Sequence, residues 1–487
     1  MTRPIAWTIA GSDSGGGAGV QADLATMNAL GAHACTVITA LTAQNTQGIV
    51  RIEYVPDDMI EAQVAALAGD LPPAAVKLGM LGTPGIVRAL AAHLKKMPVF
   101  VVCDPVMAST SGTALFAEGG REALVSELLP AVHLLTPNVP EAEALLGRPI
   151  RTHDDMRQAA HDLLKLGVKS VLLKGGHSGG VFSQDYWTDG RAEWWFTSPR
   201  KKETHTHGAG CTLSAAIAAA RALGYPELDA IVLAKAYVNQ GLRHGGGVGS
   251  GRGPLDHGGW PASPKDLPWM TRTAEEGRRG LLFPDCGPEP LGLYPIVDRA
   301  TWVERLLPLG VKTIQLRIKD LTGEALDREV RTAVEIARRS NARLFINDHW
   351  HLAVKHRAYG AHLGQEDLPH ADLAEMASAG LRLGLSTRSL EEVARAKAVR
   401  PSYVAIGALY PTPSKAIEYE PIGLEAFRRL RRLIDVPVAA IGGLTLDRAA
   451  EVRAAGADGF AVISDITAAP NPEARVKEWW GLLGSRP

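Results

Sequence analysis

The feature that most constrains this chain is a pair of strand–helix alternations separated by a stretch that has no period. From residue 291 onward, short apolar runs and helical patterns alternate eight times. Strands are expected at 293–297, 313–317, 343–347, 361–364, 382–386, 403–407, 438–442 and 459–464, with helices such as 323–339, 390–398, 424–433 and 446–455 between them. Eight such units close into a compact (β/α)8 barrel. The earlier part alternates less regularly, with strands expected at 5–10, 34–39, 75–78, 99–103, 134–136 and 170–174. That pattern implies a parallel sheet covered on both faces by helices. Residues 181–197 differ: two alternating runs flank Asp189-Gly190, a hairpin signal, with Trp187, Trp194 and Trp195 as packing residues. Glycine and proline crowd out the period from 248 to 290. The expected division is one domain over 1–268, a linker over 269–290 and a second domain over 291–487.

Lys+Arg and Asp+Glu are equal at 52 each, so the net charge is zero. Such a chain carries no footprint for nucleic acid or an anionic membrane surface. The four cysteines, Cys35, Cys103, Cys211 and Cys286, are scattered without a C-x-x-C pair. This suits a reducing cytosol, and Cys35 and Cys103 sit in apolar runs as small core residues. A strand-like run begins at Ile5 without a leader pattern, and apolar stretches such as 215–220 end at charges, here Arg221. A cytoplasmic protein is expected, with no membrane or nucleic-acid partner and with homo-oligomerisation left open.

In the first part, Gly208-Ala209-Gly210-Cys211-Thr212 precedes an apolar helical pattern over 213–223. Small residues let successive N–H groups converge at a helix N-terminus, an anion hole suited to a transferring phosphoryl group. Cys211, just behind the glycines, is placed to take a proton from an attacking hydroxyl. Asp104-Pro105-Val106-Met107 puts Asp104 at the carboxyl end of a buried strand, where parallel sheets gather ligands. Asn138-Val139-Pro140-Glu141 follows the next strand. Its amide and carboxylate can hold hydrated Mg²⁺ and orient phosphate oxygens, although N-x-x-E is also how a helix with an acidic first turn begins. Lys174-Gly175-Gly176-His177 brings a cation to another strand end, within reach of a nucleotide phosphate. The glycine run at 11–19 follows a strand but lacks the G-K-[ST] ending of a P-loop.

Together these motifs resemble the hydroxymethylpyrimidine and hydroxymethylpyrimidine-phosphate kinases of thiamine biosynthesis, within the ribokinase superfamily, over about residues 5–257. Cysteine at 211, rather than aspartate, separates the pattern from sugar kinases and from pyridoxal kinase, a near relative. The resemblance implies a ribokinase-like parallel-sheet sandwich, ATP as phosphoryl donor, Mg²⁺, and phosphorylation of both the hydroxymethyl group and the resulting monophosphate. It assigns the pyrimidine pocket to Gly11, Asp23, Gln44 and Met80. An amide such as Gln44 can both donate to and accept from an aminopyrimidine edge, and Met80 adds an apolar wall. Gly208, Gly210 and Cys211 become catalytic, and Asp104, Asn138, Glu141 and Lys174 go to ATP and its metal.

In the second part, polar residues gather at strand ends, where barrel active sites form. Gln315, Arg317 and Lys319 alternate with Leu316 and Ile318, so two cations and an amide can share one face as a diphosphate grip. Asn347-Asp348 ends the third strand and Asp367 follows the fourth. Neighbouring strand ends would bring these aspartates to one Mg²⁺ bridging to diphosphate oxygens. Ser386 closes the fifth strand, Pro411-Thr412-Pro413-Ser414-Lys415 follows the sixth, and Gly442-Gly443 and Ile463-Ser464 follow the last two. Barrels commonly hold a phosphate there.

In strand order this set resembles thiamine-phosphate synthase, over about residues 292–480. The resemblance implies a TIM barrel that couples hydroxymethylpyrimidine diphosphate to a thiazole phosphate and releases diphosphate. It gives Gln315, Leu316, Arg317, Ile318, Lys319, Asn347, Ser386 and Lys415 to the pyrimidine diphosphate, and Asp348 and Asp367 to Mg²⁺. Thr412, Pro413, Ser414, Gly443, Ile463 and Ser464 go to the thiazole phosphate; Ser414 stands where threonine is usual, and the hydroxyl survives. Cations around a departing diphosphate, and a ring able to share positive charge, favour a dissociative displacement by the thiazole nitrogen. A barrel that only senses a phosphorylated ligand needs no paired metal carboxylates, so Asp348, Asp367 and Lys319 together favour an enzyme. The expected whole is a bifunctional transferase with small-molecule partners, its kinase half feeding its synthase half.

Overall fold

The computed structural model describes residues 3–108, 115–176, 179–201, 205–276, 283–412 and 420–484. The chain divides after Arg278 into two compact units. The strands of the first are β1 (Ile5–Asp13), β2 (His33–Asn45), β3 (Gly48–Tyr54), β4 (Ala75–Leu78), β5 (Phe100–Cys103), β6 (Leu134–Leu135), β7 (Ser170–Leu173), β8 (Phe182–Thr188), β9 (Glu193–Pro199) and β10 (Trp269–Thr271). They form one sheet in the order β10-β9-β8-β7-β6-β5-β4-β1-β2-β3. From β2 through β1, β4, β5 and β6 to β7, neighbours pair in parallel, as the strand–helix alternation predicts. β4 to β7 are buried at every position, as strands covered on both faces must be. The strand order reverses between β1 and β4, which opens a crevice beyond their carboxyl ends.

Antiparallel strands extend the sheet at both edges. β8 and β9 form the expected hairpin, with Trp187, Trp194 and Trp195 buried as packing residues. β3 has no counterpart in the sequence expectations, because its residues are half-buried or exposed and make no apolar run. Pairing with β2, which continues to Asn45 rather than stopping at 39, holds it in place.

The linker expected over 269–290 needs correction at both ends. Trp269–Thr271 pairs with β9, and Ala274 joins the core of the first unit. A three-residue edge strand is too short to carry a period of its own. At the other end Cys286 is buried in the barrel core, and the Arg343 guanidinium donates to the carbonyls of Cys286, Glu289 and Pro290.

The second unit consists of β11 (Gly292–Val297), β12 (Thr313–Leu316), β13 (Arg343–Asn347), β14 (Gly360–Leu363), β15 (Arg382–Thr387), β16 (Tyr403–Ile406), β17 (Val438–Ile441) and β18 (Gly459–Val462). These close in chain order as a barrel with every neighbour parallel. Inside, rings face small residues: a Cβ on Gly384 would lie 2.2 Å from the Tyr403 ring, and one on Gly360 2.6 Å from Phe345. Among the described residues, no helix is long and apolar enough to cross a membrane.

Candidate active sites

In the first unit, the helix Ala209–Ala222 begins against the opening glycine loop. Gly208 caps it at φ +79°, and a Cβ there would lie 2.0 Å from Gly17 O, so only glycine fits. A Cβ on Gly210 would lie 3.3 Å from both Asp104 Oδ2 and Lys174 Nζ. Lys174 itself donates to Asp104 Oδ1 at 2.6 Å. The first-turn N–H groups, which have no acceptor within the helix, therefore open beside an ion pair at the ends of β5 and β7. Cys211 lies in the same turn. Burial pushes its thiol up to about 11, against the pull of the Lys77 ammonium and, more weakly, the Gly19 backbone N–H.

Asn138 and Glu141 form a capping box on the helix Val139–Leu146. Asn138 Oδ1 accepts from Glu141 N at 2.9 Å, and Glu141 Oε2 accepts from Asn138 N at 2.7 Å. The helix-start reading of N-x-x-E is thus present in the structure. Glu141 also feels Lys174 and Asp104: burial pushes its carboxyl up to about 7, with Lys174 opposing and Asp104 adding.

The opening glycine run is organised by Asp13. Its carboxylate accepts from the N–H groups of Gly15, Gly17 and Ala18, and His207 Nε2 lies 3.2 Å away. Those N–H groups are satisfied within the loop. Gln44 Nε2 lies 3.3 Å from His207 Nε2. Met80 packs with Ala40 and Leu115, and its sulfur is 3.1 Å from where a Gly11 Cβ would stand. Gly11, Gln44 and Met80 therefore gather at the same end of the sheet. Asp23 does not offer an open face to that pocket. It is fully buried, accepting from Lys77 Nζ at 2.6 Å and Thr8 Oγ1 at 2.5 Å. A carboxylate taken out of water needs a counter-charge, and Lys77 supplies it beneath the site. His177 lies outside the described residues.

In the barrel, β12 ends at Leu316, with Gln315 buried, Arg317 half-buried and Lys319 exposed. Lys319 pairs with Asp348. Leu316 and Ile318 are buried, as their alternation with Gln315, Arg317 and Lys319 implies. Asp348, at φ +61°, and Asp367 come from the neighbouring ends of β13 and β14. Burial pushes the Asp367 carboxyl up and the Asp348 charge pushes it further, while Gly364 N donating at 2.8 Å opposes both. The two carboxylates are therefore neighbours, and the Asp348 charge disfavours that of Asp367. Asn347 is buried beside them in sequence.

Ser386 Oγ lies 2.9 Å from His362 Nε2, and His362 Nδ1 lies 2.7 Å from Tyr403 OH. Burial pushes His362 down to about 4, so its imidazole is neutral at pH 7. A Cβ on Gly443 would lie 2.5 Å from Pro411 O, so the turn after β17 packs on the segment leading to Thr412. Ile463 caps the short helix Ser464–Thr467 after β18. Pro413, Ser414 and Lys415 lie outside the described residues.

The family model of phosphomethylpyrimidine kinase matches residues 13–256, and that of thiamine monophosphate synthase matches residues 293–466. The chloroplastic thiamine biosynthetic bifunctional enzyme of Arabidopsis thaliana is 34% identical over 480 residues, 95% of this chain and 89% of that one. The chain belongs to the bifunctional thiamine biosynthetic enzymes. It joins a hydroxymethylpyrimidine and hydroxymethylpyrimidine-phosphate kinase to a thiamine-phosphate synthase. For the synthase half, the thiamine-phosphate synthase of Shigella boydii is 53% identical over 189 residues, 38% of this chain and 90% of that one. For the kinase half, a pyridoxal kinase of Staphylococcus aureus, solved with ADP, is 31% identical with a TM-score of 0.52, covering 56% of this chain and 100% of that one.

In this bifunctional enzyme the sequence motifs assign no role to Lys77, Asp13 and His207, nor to Tyr294, His362, Gln365 and Tyr403. Lys77 does carry a signal, as a lysine within the otherwise apolar strand Ala75–Leu78. The two tyrosines carry none, because an aromatic residue in a barrel strand reads as packing.

Proposed function

We propose that the two sites divide the chemistry as follows. In the kinase unit, Gln44 and Met80 receive the pyrimidine, with Asp23 and Lys77 supporting the floor. The N–H groups of Gly210 and Cys211 face the transferring phosphoryl group, Lys174 meets the nucleotide phosphates of ATP, and Cys211 takes the proton of the hydroxymethyl alcohol. Asp104, with Glu141 Oε1, which the capping box leaves free, and with Asn138 beside it, suits Mg²⁺: burial and Asp104 disfavour the charge on Glu141, which a divalent cation would offset.

In the synthase unit, Gln315, Asn347 and Ser386 orient the pyrimidine, while Arg317, Lys319 and Lys415 hold its diphosphate. Thr412, Gly443, Ile463 and Ser464, with Pro413 and Ser414, face the thiazole phosphate. The adjacent carboxylates of Asp348 and Asp367 fit Mg²⁺, which when bound would neutralise the departing diphosphate. The residues then stabilise a dissociative displacement and exclude water; none needs to act as a nucleophile. The four unpaired cysteines support a cytoplasmic setting.

The observation that carries this reading is convergence: residues dispersed along each unit meet at the carboxyl ends of that unit's parallel strands. Supplied with hydroxymethylpyrimidine, ATP, Mg²⁺ and thiazole phosphate, the chain should form thiamine phosphate. Asp348→Asn should keep the kinase rate and lose coupling of supplied pyrimidine diphosphate by about a hundredfold or more. Full coupling by that variant at low Mg²⁺ would remove Asp348 from the metal site.

A further inference from the structure

We propose that Tyr294, Tyr403 and His362 are positioning residues of the synthase site, forming a buried relay that makes Gln315 and Ser386 present opposite hydrogen-bonding polarity to the pyrimidine. The inference rests on the reading above that both ends face the pyrimidine. Five groups stand in series inside the barrel. Gln315 Nε2 donates to Tyr294 OH at 3.2 Å, Tyr294 OH lies 2.6 Å from Tyr403 OH, Tyr403 OH lies 2.7 Å from His362 Nδ1, and His362 Nε2 lies 2.9 Å from Ser386 Oγ. Gln315, Tyr294, Tyr403 and His362 are all buried, so water cannot break the series.

Each hydroxyl owns one proton and a neutral imidazole owns one N–H, so the donors must all point the same way along the chain. With Gln315 Nε2 donating, Tyr294 donates to Tyr403, Tyr403 to His362 Nδ1, and the His362 Nε2–H to Ser386 Oγ. Gln315 Oε1 is then left as an acceptor and the Ser386 hydroxyl as a donor. An aminopyrimidine offers the complement, an amino N–H beside a ring-nitrogen lone pair. A 4-oxo analogue offers a carbonyl beside an N–H, and can be met only by the second Gln315 Nε2 proton and the second Ser386 lone pair, with the Gln315 carbonyl and the Ser386 hydroxyl proton turned away from the ring. A lone serine hydroxyl rotates freely and could not impose this. Gln365 Nε2, donating to Ser386 O at 2.7 Å, also fixes the serine's backbone.

The test uses the full chain with thiazole phosphate and either the amino or the 4-oxo pyrimidine diphosphate. Wild type is compared with Y403F, Y294F, Q315A and S386A. Each phenylalanine keeps its ring and cuts the series at a different point, so either folded variant serves. The KM for the amino substrate should rise about three- to tenfold, with kcat within about twofold, and the amino-over-oxo preference in kcat/KM should fall by a similar factor. The kinase rate should not change. The relay alone is overturned by a wild type that shows no preference, or by folded tyrosine variants with wild-type KM and preference beside Q315A and S386A that raise KM. A fall in unfolding temperature and kcat with the preference intact would make the tyrosines merely structural, and would also overturn it. If Q315A and S386A leave KM unchanged, the pyrimidine assignment falls and the relay with it.

Discussion

At Cys211 two effects oppose each other. Leaving water disfavours the thiolate and pushes the thiol up to about 11, while the buried Lys77 ammonium favours it. Lys77 stays charged because Asp23 lies 2.6 Å away, and the charges of Asp23 and Asp104 in turn oppose its pull on the Cys211 thiol. Below its pKa, the thiolate fraction grows about tenfold per pH unit. An alcohol acceptor must lose a proton, whereas a phosphate acceptor is already ionised. Phosphorylation of the alcohol should therefore climb as pH rises from about 6 to 9, and phosphorylation of the monophosphate should stay nearly flat. Steady-state rates on each acceptor at saturating ATP and Mg²⁺ would show the difference. Cys211→Ala should lose the first-step rate and its slope together; a slope that survives in that variant would place the base elsewhere.

At the scale of elements, the start of the helix Val139–Leu146 serves two ends. The Asn138–Glu141 box satisfies N–H groups at the helix start, and the same glutamate feels Lys174 and Asp104 in the proposed phosphate site. Glu141 titrates near 7 in the fold, above the ordinary carboxylate range, so the fold favours its protonated form. Its contribution to stability is full below that ordinary range and is lost as pH rises through about 7. Thermal unfolding of the kinase unit between pH 5 and 8 should therefore depend less on pH in Glu141→Gln than in wild type. Asn138→Ala should cost about 1 kcal/mol throughout. A Glu141→Gln protein with the parent's full pH dependence would assign it to another group. The same helix start shows why motif spacing underdetermines chemistry: N-x-x-E fits a cap and a metal site equally, and here the neighbours Lys174 and Asp104 support the proposed second role.

At the scale of the molecule, each unit holds a complete set of strands and its own strand-end site. The first unit's sheet takes in Trp269–Thr271, and Arg343 holds the chain from Cys286 onward against the barrel, so the place to cut is the division between the units, after Arg278. A chain cleaved there should keep both activities. A tether raises the local concentration of one site near the other without building a tunnel. The diphosphate intermediate is therefore expected to diffuse freely. With labelled hydroxymethylpyrimidine and excess unlabelled pyrimidine diphosphate, early thiamine phosphate should carry diluted label; undiluted label would show channelling.

The barrel was legible strand by strand, because apolar runs and amphipathic helices are local patterns that a period reveals. The strand-end motifs were legible too, since Gln315, Arg317 and Lys319, or Gly208 to Thr212, are contiguous along the chain. Tertiary structure alone decided what distant residues do to one another. It buried Asp23 against Lys77, added β3 and β10 through pairing, and lined up Gln315, Tyr294, Tyr403, His362 and Ser386 across the barrel. Burial and hydrogen-bond partnership depend on residues tens of positions apart, and the local period of a chain contains no record of them.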